Sequence, residues 1–354
     1  MRQGITRLTA LAAMVLAVSA MGEPAQASSA PGWRVIYQSR AIRGNYLDGI
    51  VAVSRSDAWA IGRYGQESPQ IVLHWNGRRW RAVRLPAAAR RVLPDHVYAT
   101  SPANVWITGS VGSDGEARAV VWNGASWHMI DEPEGVSQDV AVLGPANAWA
   151  SVEGGCTGKC SLIYHWNGSS WAESKTHFTV YDLIAVGGHV LALADGLGST
   201  SGSRLTPALY ELSGSRWIRR AMPAPTFTSA EIAASSLRDI WVLGTTPRRG
   251  AWEVLYHWNG RKWSRLRVPQ RVHGAYLYSN IGLTPDGHGG TWLGPYAHWT
   301  GRKWVNYGSE VMKFSGDAYA LAVIPGTRST WLAAWTYRHN RTESAVAING
   351  RGPA

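Results

Sequence analysis

Residues 50–86 read IVAVSRSDAWAIGRYGQESPQIVLHWNGRRWRAVRLP, and this stretch decides the fold. Short apolar runs at Ile50–Val53 and Ala58–Ile61, parted by the polar break SRSD, have the length and alternation of half-buried strands joined by a turn. A third run ends in His74 and Trp75, and a fourth starts at Trp80 after Asn76, Gly77, Arg78 and Arg79. An asparagine side chain can accept backbone N–H groups in such a turn, and a glycine can take positive φ, so the chain reverses tightly. The same unit returns downstream as HVYATSPANVWITG from His96, followed by AVVWNGASW ending at Trp127. A leading Trp recurs at Trp59, Trp106, Trp149, Trp241, Trp292 and Trp331. A hairpin glycine recurs at Gly77, Gly124, Gly168, Gly214, Gly260, Gly301 and Gly350. Seven glycines at spacings of roughly 40–50 residues imply seven four-stranded units, each needing a neighbour to cover its apolar face.

The seventh unit carries the topology. Its AVAINGRGPA ends before a second Trp, so its fourth strand is missing, while GWRVIYQS near the other end resembles that strand, with Trp33 standing where Trp80 stands. The expected fold is therefore all-β: a seven-bladed β-propeller of four-stranded antiparallel blades, closed by the N-terminal strand completing the C-terminal blade. Closure of that kind removes two sheet edges that would otherwise invite aggregation. The W-x-x-G and H-W-N-G-x-x-W repeats resemble the tandem motifs of secreted bacterial propellers, and are similar in outline to kelch, Asp-box and two-component-regulator repeats. SRSDAW and SLRDIW are not the S-x-D-x-G-x-x-W Asp-box, so the resemblance implies the architecture and not sialidase chemistry.

Residues 1–27 carry Arg2 and Arg7, an apolar run from Leu8 to Met21, and small residues at Ala25 and Ala27. That is the layout of a secretory leader, with a run too short to span a bilayer. Residues 28–354 are thus expected to be one secreted domain without a transmembrane anchor. The formal net charge is +12 and the leader holds little of it, so the exported protein favours anionic surroundings. Cys156 and Cys160 lie in GGCTGKC, which in an exported chain reads as a local disulfide pinning a loop. Scattered arginines without a basic tract argue against nucleic acid. No cofactor or metal is expected: HExxH, P-loop and GxSxG motifs are absent. His74, His165, His257 and His298 occupy equivalent places in separate blades and read as packing, not as convergent zinc ligands.

Turns such as SPAN, GPAN and NGxx are short and alike and should share one face of the ring. The second-to-third connections differ in length and chemistry, and binding is expected on their side. There Trp335, Tyr337, Arg338, His339 and Arg341 combine flat apolar surface with cationic donors suited to sugars, carboxylates or phosphates, and Arg248, Arg249 and Trp252 add to them. A second candidate is the channel mouth, where an acid or amide recurs near the start of each innermost strand: Asp48, Asp95, Asp139, Asp182, Glu231, Asn280 and Asp317. These groups either ring the mouth and offer oxygen to a cation or polar ligand, or cap turns locally. The function expected is non-catalytic extracellular recognition or interaction, with an anionic glycan, a cell-envelope polymer or a protein as partner. The alternative is a carbohydrate-active enzyme, a glycoside hydrolase or polysaccharide lyase, using channel-mouth carboxylates held roughly 5–9.5 Å apart. Two of them converging beside Arg or Tyr would favour the enzyme, and a shallow aromatic, Arg-rich face would favour recognition.

Overall fold

The computed structural model describes residues 32–39, 45–64, 70–111, 115–133, 136–152, 160–195, 206–223, 226–227, 229–246, 253–268, 282–311, 318–338 and 341–350. Its strands form seven sheets, each of four antiparallel strands. Blades 1 to 6 span residues 45–82, 92–131, 136–175, 180–220, 229–267 and 283–306; blade 7 spans 318–349 and takes its fourth strand from Arg34–Gln38. The innermost strands begin at Asn45, Val92, Val136, Val180, Ser229, Leu283 and Ala318; each touches the next, and the last touches the first. The ring is closed.

Closure follows the register expected of a completed blade. Arg34 lies opposite Ile348 and Gln38 opposite Ala345. Because Arg81 lies opposite His74 in blade 1, and Ile348 faces Trp331 as His74 faces Trp59, Trp33 does fill the Trp80 position. The same register corrects one repeat assignment: Gly350 stands in the place of Asn76, not of Gly77. Trp33 is buried, donates its indole N–H to Pro295 O at 3.1 Å, and packs against Trp292 with ring centroids 5.4 Å apart. Ser39 and Ser344 exchange two further hydrogen bonds across the joint.

Tryptophan holds neighbouring blades together. Trp59 stacks on His74 of its own blade at 4.1 Å and meets Trp127 of blade 2 edge-on at 5.6 Å. Trp106 likewise meets Trp166 and Trp171 of blade 3, and Trp331 meets Trp75 and Trp80 across the closing seam. Such pairs contribute about 0.5–1.5 kcal/mol each beyond the area they bury. Most of their polar ends are satisfied by position, although among the described residues the buried Nε1 of Trp80 and of Trp331 meets no acceptor. The first hairpin Trp donates to its own blade's first turn, Trp75 to Arg55 O and Trp166 to Pro145 O. The second donates to the end of the preceding blade, Trp171 to Asp131 O, Trp263 to Ala221 O and Trp304 to Arg267 O.

The turn residue two places before the leading Trp completes the unit. Asp57 accepts from Trp59 Nε1 at 3.0 Å and from His74 Nε2 at 2.9 Å; Asn147 does the same for Trp149 and His165, and Asp239 for Trp241 and His257. The repeated histidines are therefore packing groups. The hairpin turns match the sequence reading as well: Asn76 Oδ1 accepts from the N–H groups of Arg78 and Arg79, and Gly77 sits at φ 86°.

Candidate functional site

The innermost strands converge on a cavity of about 510 Å³ at the channel, lined by Asp48, Asp95, His96, Asp182 and Glu231, with Gly49, Gly282 and Ala320 between them. Four of the seven expected channel-mouth residues come together here. Asp48 and Asp95 reach it by the same device. Pairing passes from Leu47–Gly62 to Gly49–Ile61, and from Pro94–Gly109 to His96–Thr108, so each aspartate is the extra residue of a β-bulge. The bulge pushes its own strand onto the neighbour. A Cβ at Gly62 would stand 2.0 Å from Tyr46 O, and one at Gly109 would stand 1.9 Å from Leu93 O. The glycine of W-x-x-G in blades 1 and 2 is thus the space that lets an aspartate bulge there.

The four carboxylates divide into two kinds. Asp182 Oδ2 accepts the backbone N–H of Ile232 in blade 5 at 2.8 Å, and Glu231 Oε1 accepts that of Leu283 in blade 6 at 2.6 Å. Each ties its inner strand to the next, so these two act between blades and not as local turn caps. Asp48 and Asp95 form an interacting pair. Burial pushes Asp48 up to about 6, against Arg63, whose Nε lies 3.5 Å from Oδ2, and with added repulsion from Asp95. Burial also raises Asp95, with His96 and Arg63 opposing, and burial lowers His96. The Arg63 guanidinium sits 5.5 Å from the centre of the Tyr46 ring. Glu132, nearly enclosed at the end of blade 2, is pushed up to about 8 by burial, with Arg118 opposing and Asp95 adding to the rise. Among the described residues no three His, Cys, Asp or Glu are grouped to hold a metal ion.

The remaining sequence candidates are placed as follows. Asn280, Asp317, Arg248, Arg249, Trp252, His339 and Cys156 lie outside the described residues, as do the side chains of Asp139, Tyr337, Arg338 and Arg341. Cys160 is buried and is not a free thiol. Trp335 is half-buried and pairs with Ser344. Its segment corrects the reading of an open loop, because strand pairing continues to Arg338 opposite Arg341. Alternating β-branched and aromatic residues prolong the hairpin there. Sequence reasoning placed Arg63 at the head of a variable connection and His96 in a connection, neither of them at the channel, and it missed Glu132. Arg63 had a signal, since it follows the bulge-facing Gly62 directly, and so did His96, next to the channel-mouth candidate Asp95; Glu132 had none.

Charge is segregated around the ring. The outer strands of blades 4 and 5 read RWIRR and WSRLR, and the hairpins of blades 1, 5 and 6 carry Arg78 and Arg79, Arg261 and Lys262, and Arg302 and Lys303, all exposed at these cations. Blades 2 and 3 instead have WHMID and WAESK with the uncharged turn residues Ala125, Ser126, Ser169 and Ser170. The channel end gathers carboxylates while the outer rim of most blades is basic.

No model of a known protein family matches the chain, and no curated protein does. Among solved structures it is similar to YCF48 from Cyanidioschyzon merolae, at 13% identity and a TM-score of 0.55 over 90% of this chain and 98% of that one. It is also similar to the β-propeller domain of the Trilobed protease from Pyrococcus furiosus, at 8% identity and a TM-score of 0.56 over 89% and 97%. That domain has an open velcro topology, whereas the present ring is closed by strand pairing. At these identities the likeness shows the propeller fold alone. The six-bladed, fucose-recognising Aleuria aurantia lectin aligns at 14% identity and a TM-score of 0.42, over 66% of this chain and 81% of its own, too loosely to bear on function.

Proposed function

We propose that this chain is an exported, non-catalytic recognition propeller whose ligand is an acidic glycan or cell-envelope polymer. The observation that carries the reading is the segregation of charge. The acid-lined channel repels an anion, while the exposed arginines of blades 4 to 6 attract one. This reading seeks the ligand at the basic outer rim, and not on the variable-loop face or at the channel mouth that the sequence suggested. Export enters through residues 1–27 as a cleaved leader and a Cys156–Cys160 bridge, and none of the helices among the described residues is long and apolar enough to cross a membrane. N-terminal sequencing and a thiol count on protein recovered from the medium test both points.

A second reading, a glycan-acting enzyme, is favoured by one observation: Asp48 and Asp95 interact in one cavity beside Arg63, and a carboxyl held near pKa 6 stays protonated far enough toward neutrality to act as a general acid. Acidic and neutral glycans are arrayed on the mature protein, and every hit is assayed for turnover. Saturable binding of acidic glycans without product supports recognition. Product formation that disappears in Asp48→Asn and Asp95→Asn overturns it in favour of the enzyme.

A further inference from the structure

We infer that the groove between blades 5 and 6 is the site at which an acidic oligosaccharide binds. The inference rests on the recognition reading and gives it an address. The groove has a volume of about 570 Å³, within the range of roughly 300–1,000 Å³ typical of small-ligand sites. One wall is the outer strand of blade 5, from Ser264 through Arg265 and Leu266 to Arg267; the other is the last hairpin of blade 6, with Trp299, Gly301 and Trp304. Among the described residues no carboxylate lines it. Among the described residues His257 is the one other ionisable lining group, and its Nε2 is already engaged by Asp239.

Local chemistry explains why the space opens between these two blades. In blades 1, 2, 3 and 5 the hairpin glycine faces a side chain of the first turn: Gly77 faces Ser56, Gly124 faces Ala103, Gly168 faces Ala146 and Gly260 faces Arg238, whereas in blade 4 Gly214 has nothing within 4 Å. In blade 6 the partner is Gly289, so Gly301 meets only the backbone oxygen of another glycine. The first-turn side chain present in blades 1, 2, 3 and 5 is missing at one end of the groove. Gly289 itself is at φ 79°, which a substituted residue would resist, so the gap is built into the turn PDGHGGTW.

The walls suit a sugar with a negative group. Trp304 is held by its indole N–H, which donates to Arg267 O at 3.2 Å, and its ring lies 5.5 Å from that of Trp299. Both are half-buried, so each presents a fixed aromatic edge without an ordering cost at binding. Arg265 and Arg267 are exposed beside them, and a guanidinium matches a carboxylate or sulfate with two parallel hydrogen bonds. An apolar sugar face against tryptophan and an anionic substituent against Arg265 satisfy both walls together.

The test uses calorimetric titration of the mature protein near physiological salt with three probes: a galacturonate hexasaccharide, a sulfated hexasaccharide and a neutral glucan of the same length. Arg265→Gln is compared with Arg81→Gln, which removes an equal charge from an exposed strand of blade 1 on the same basic rim. Unchanged circular dichroism and melting qualify both variants. The expected result is binding of at least one acidic probe and not the glucan, weakened about tenfold or more by Arg265→Gln and left unchanged by Arg81→Gln. Equal weakening by both variants, or none by Arg265→Gln, overturns the groove and leaves rim recognition standing. Equal affinity for the glucan overturns the anionic ligand. Failure of the wild-type protein to bind either acidic probe removes both the groove and the reading beneath it.

Discussion

Asp239→Ala tests why the repeated tryptophans sit where they do. Asp239 Oδ1 accepts from Trp241 Nε1 and from His257 Nε2, each at 2.8 Å, and Ser235 Oγ donates to Oδ2. Trp241 is fully buried, and the His257 ring lies on it at 3.7 Å and 7° from parallel. Removing the carboxylate strands a buried indole N–H, at about 1–3 kcal/mol, and deletes a hydrogen bond from His257 to a charged acceptor, at roughly 1.5–3 kcal/mol. The two overlap in one cluster, so the expected loss is about 3–5 kcal/mol. Blade 3 offers an internal comparison, because Asn147 holds Trp149 and His165 in the same arrangement, but Asn147 is exposed and Trp149 only half-buried. Water can replace that acceptor, and Asn147→Ala should lose only about 1 kcal/mol. Asp239→Asn keeps an Oδ1 acceptor and should recover most of the loss, since blade 3 already uses the amide. Urea unfolding of the mature protein, followed by tryptophan emission and circular dichroism together, measures all three. Equal midpoints for Asp239→Ala and Asn147→Ala, or an Asn variant as weak as the Ala variant, would refute the role assigned to the acceptor.

Three further substitutions probe other parts of the ring. Trp33→Ala should lose about 3–5 kcal/mol and promote aggregation, because a buried ring and its bond to Pro295 leave the closing seam together; a native-like urea midpoint would count against closure by this strand. Glu132 has a folded-state value near 8 against 4.5 when unfolded, so the native state binds the proton more tightly and stability falls as pH rises through that window. Glu132→Gln mimics the protonated form and should match the wild type near pH 4 yet melt higher above about pH 8, whereas parallel melting curves would rule this out. Asp182→Ala removes the acceptor of the Ile232 N–H and should speed hydrogen exchange at that amide by roughly tenfold or more; unchanged exchange would mean that the side chain is not the link between blades 4 and 5.

The scaffold was legible because its signals are local and repeated. Trp59, Asp57, His74 and Asn76 fall within one short stretch, and each recurrence repeats the same geometry. Closure was legible from complementarity, since Trp33 supplies what the seventh unit lacks. The site was only half legible. Asp48, Asp95, Asp182 and Glu231 could be named from their place at the start of the inner strands, but their division into inter-blade links and a coupled pair could not. That division depends on whether a bulge turns the carboxylate inward, as at Asp48 and Asp95, and on which amide of the next blade comes within reach. Neither is written in the spacing, and the contribution of Arg63 depends on a neighbouring strand.

Departures from the repeat carry different information according to whether they are compensated. Blade 4 has Leu191 where other blades place their leading Trp, and its cross-strand pair is inverted: His189 stands in the place of Asp57 and Glu211 in the place of His74. His189 Nδ1 and Glu211 Oε1 still meet at 2.8 Å, so the exchange preserves the contact, and the scaffold is indifferent to which strand bears the acid. Gly289 is a departure of the other kind. No side chain fills the volume left beside Gly301, although Ser, Ala or Arg does so in blades 1, 2, 3 and 5; Gly214 of blade 4 is likewise open, and beside Gly301 the vacated space borders two tryptophans and two arginines. A propeller held by a ring of near-identical tryptophan contacts has no energetic use for such a gap, since uncompensated space forfeits packing. The exchange of His189 and Glu211 restores a contact, whereas Gly289 restores none and opens onto a charged, aromatic wall, which is why the ligand is sought between blades 5 and 6.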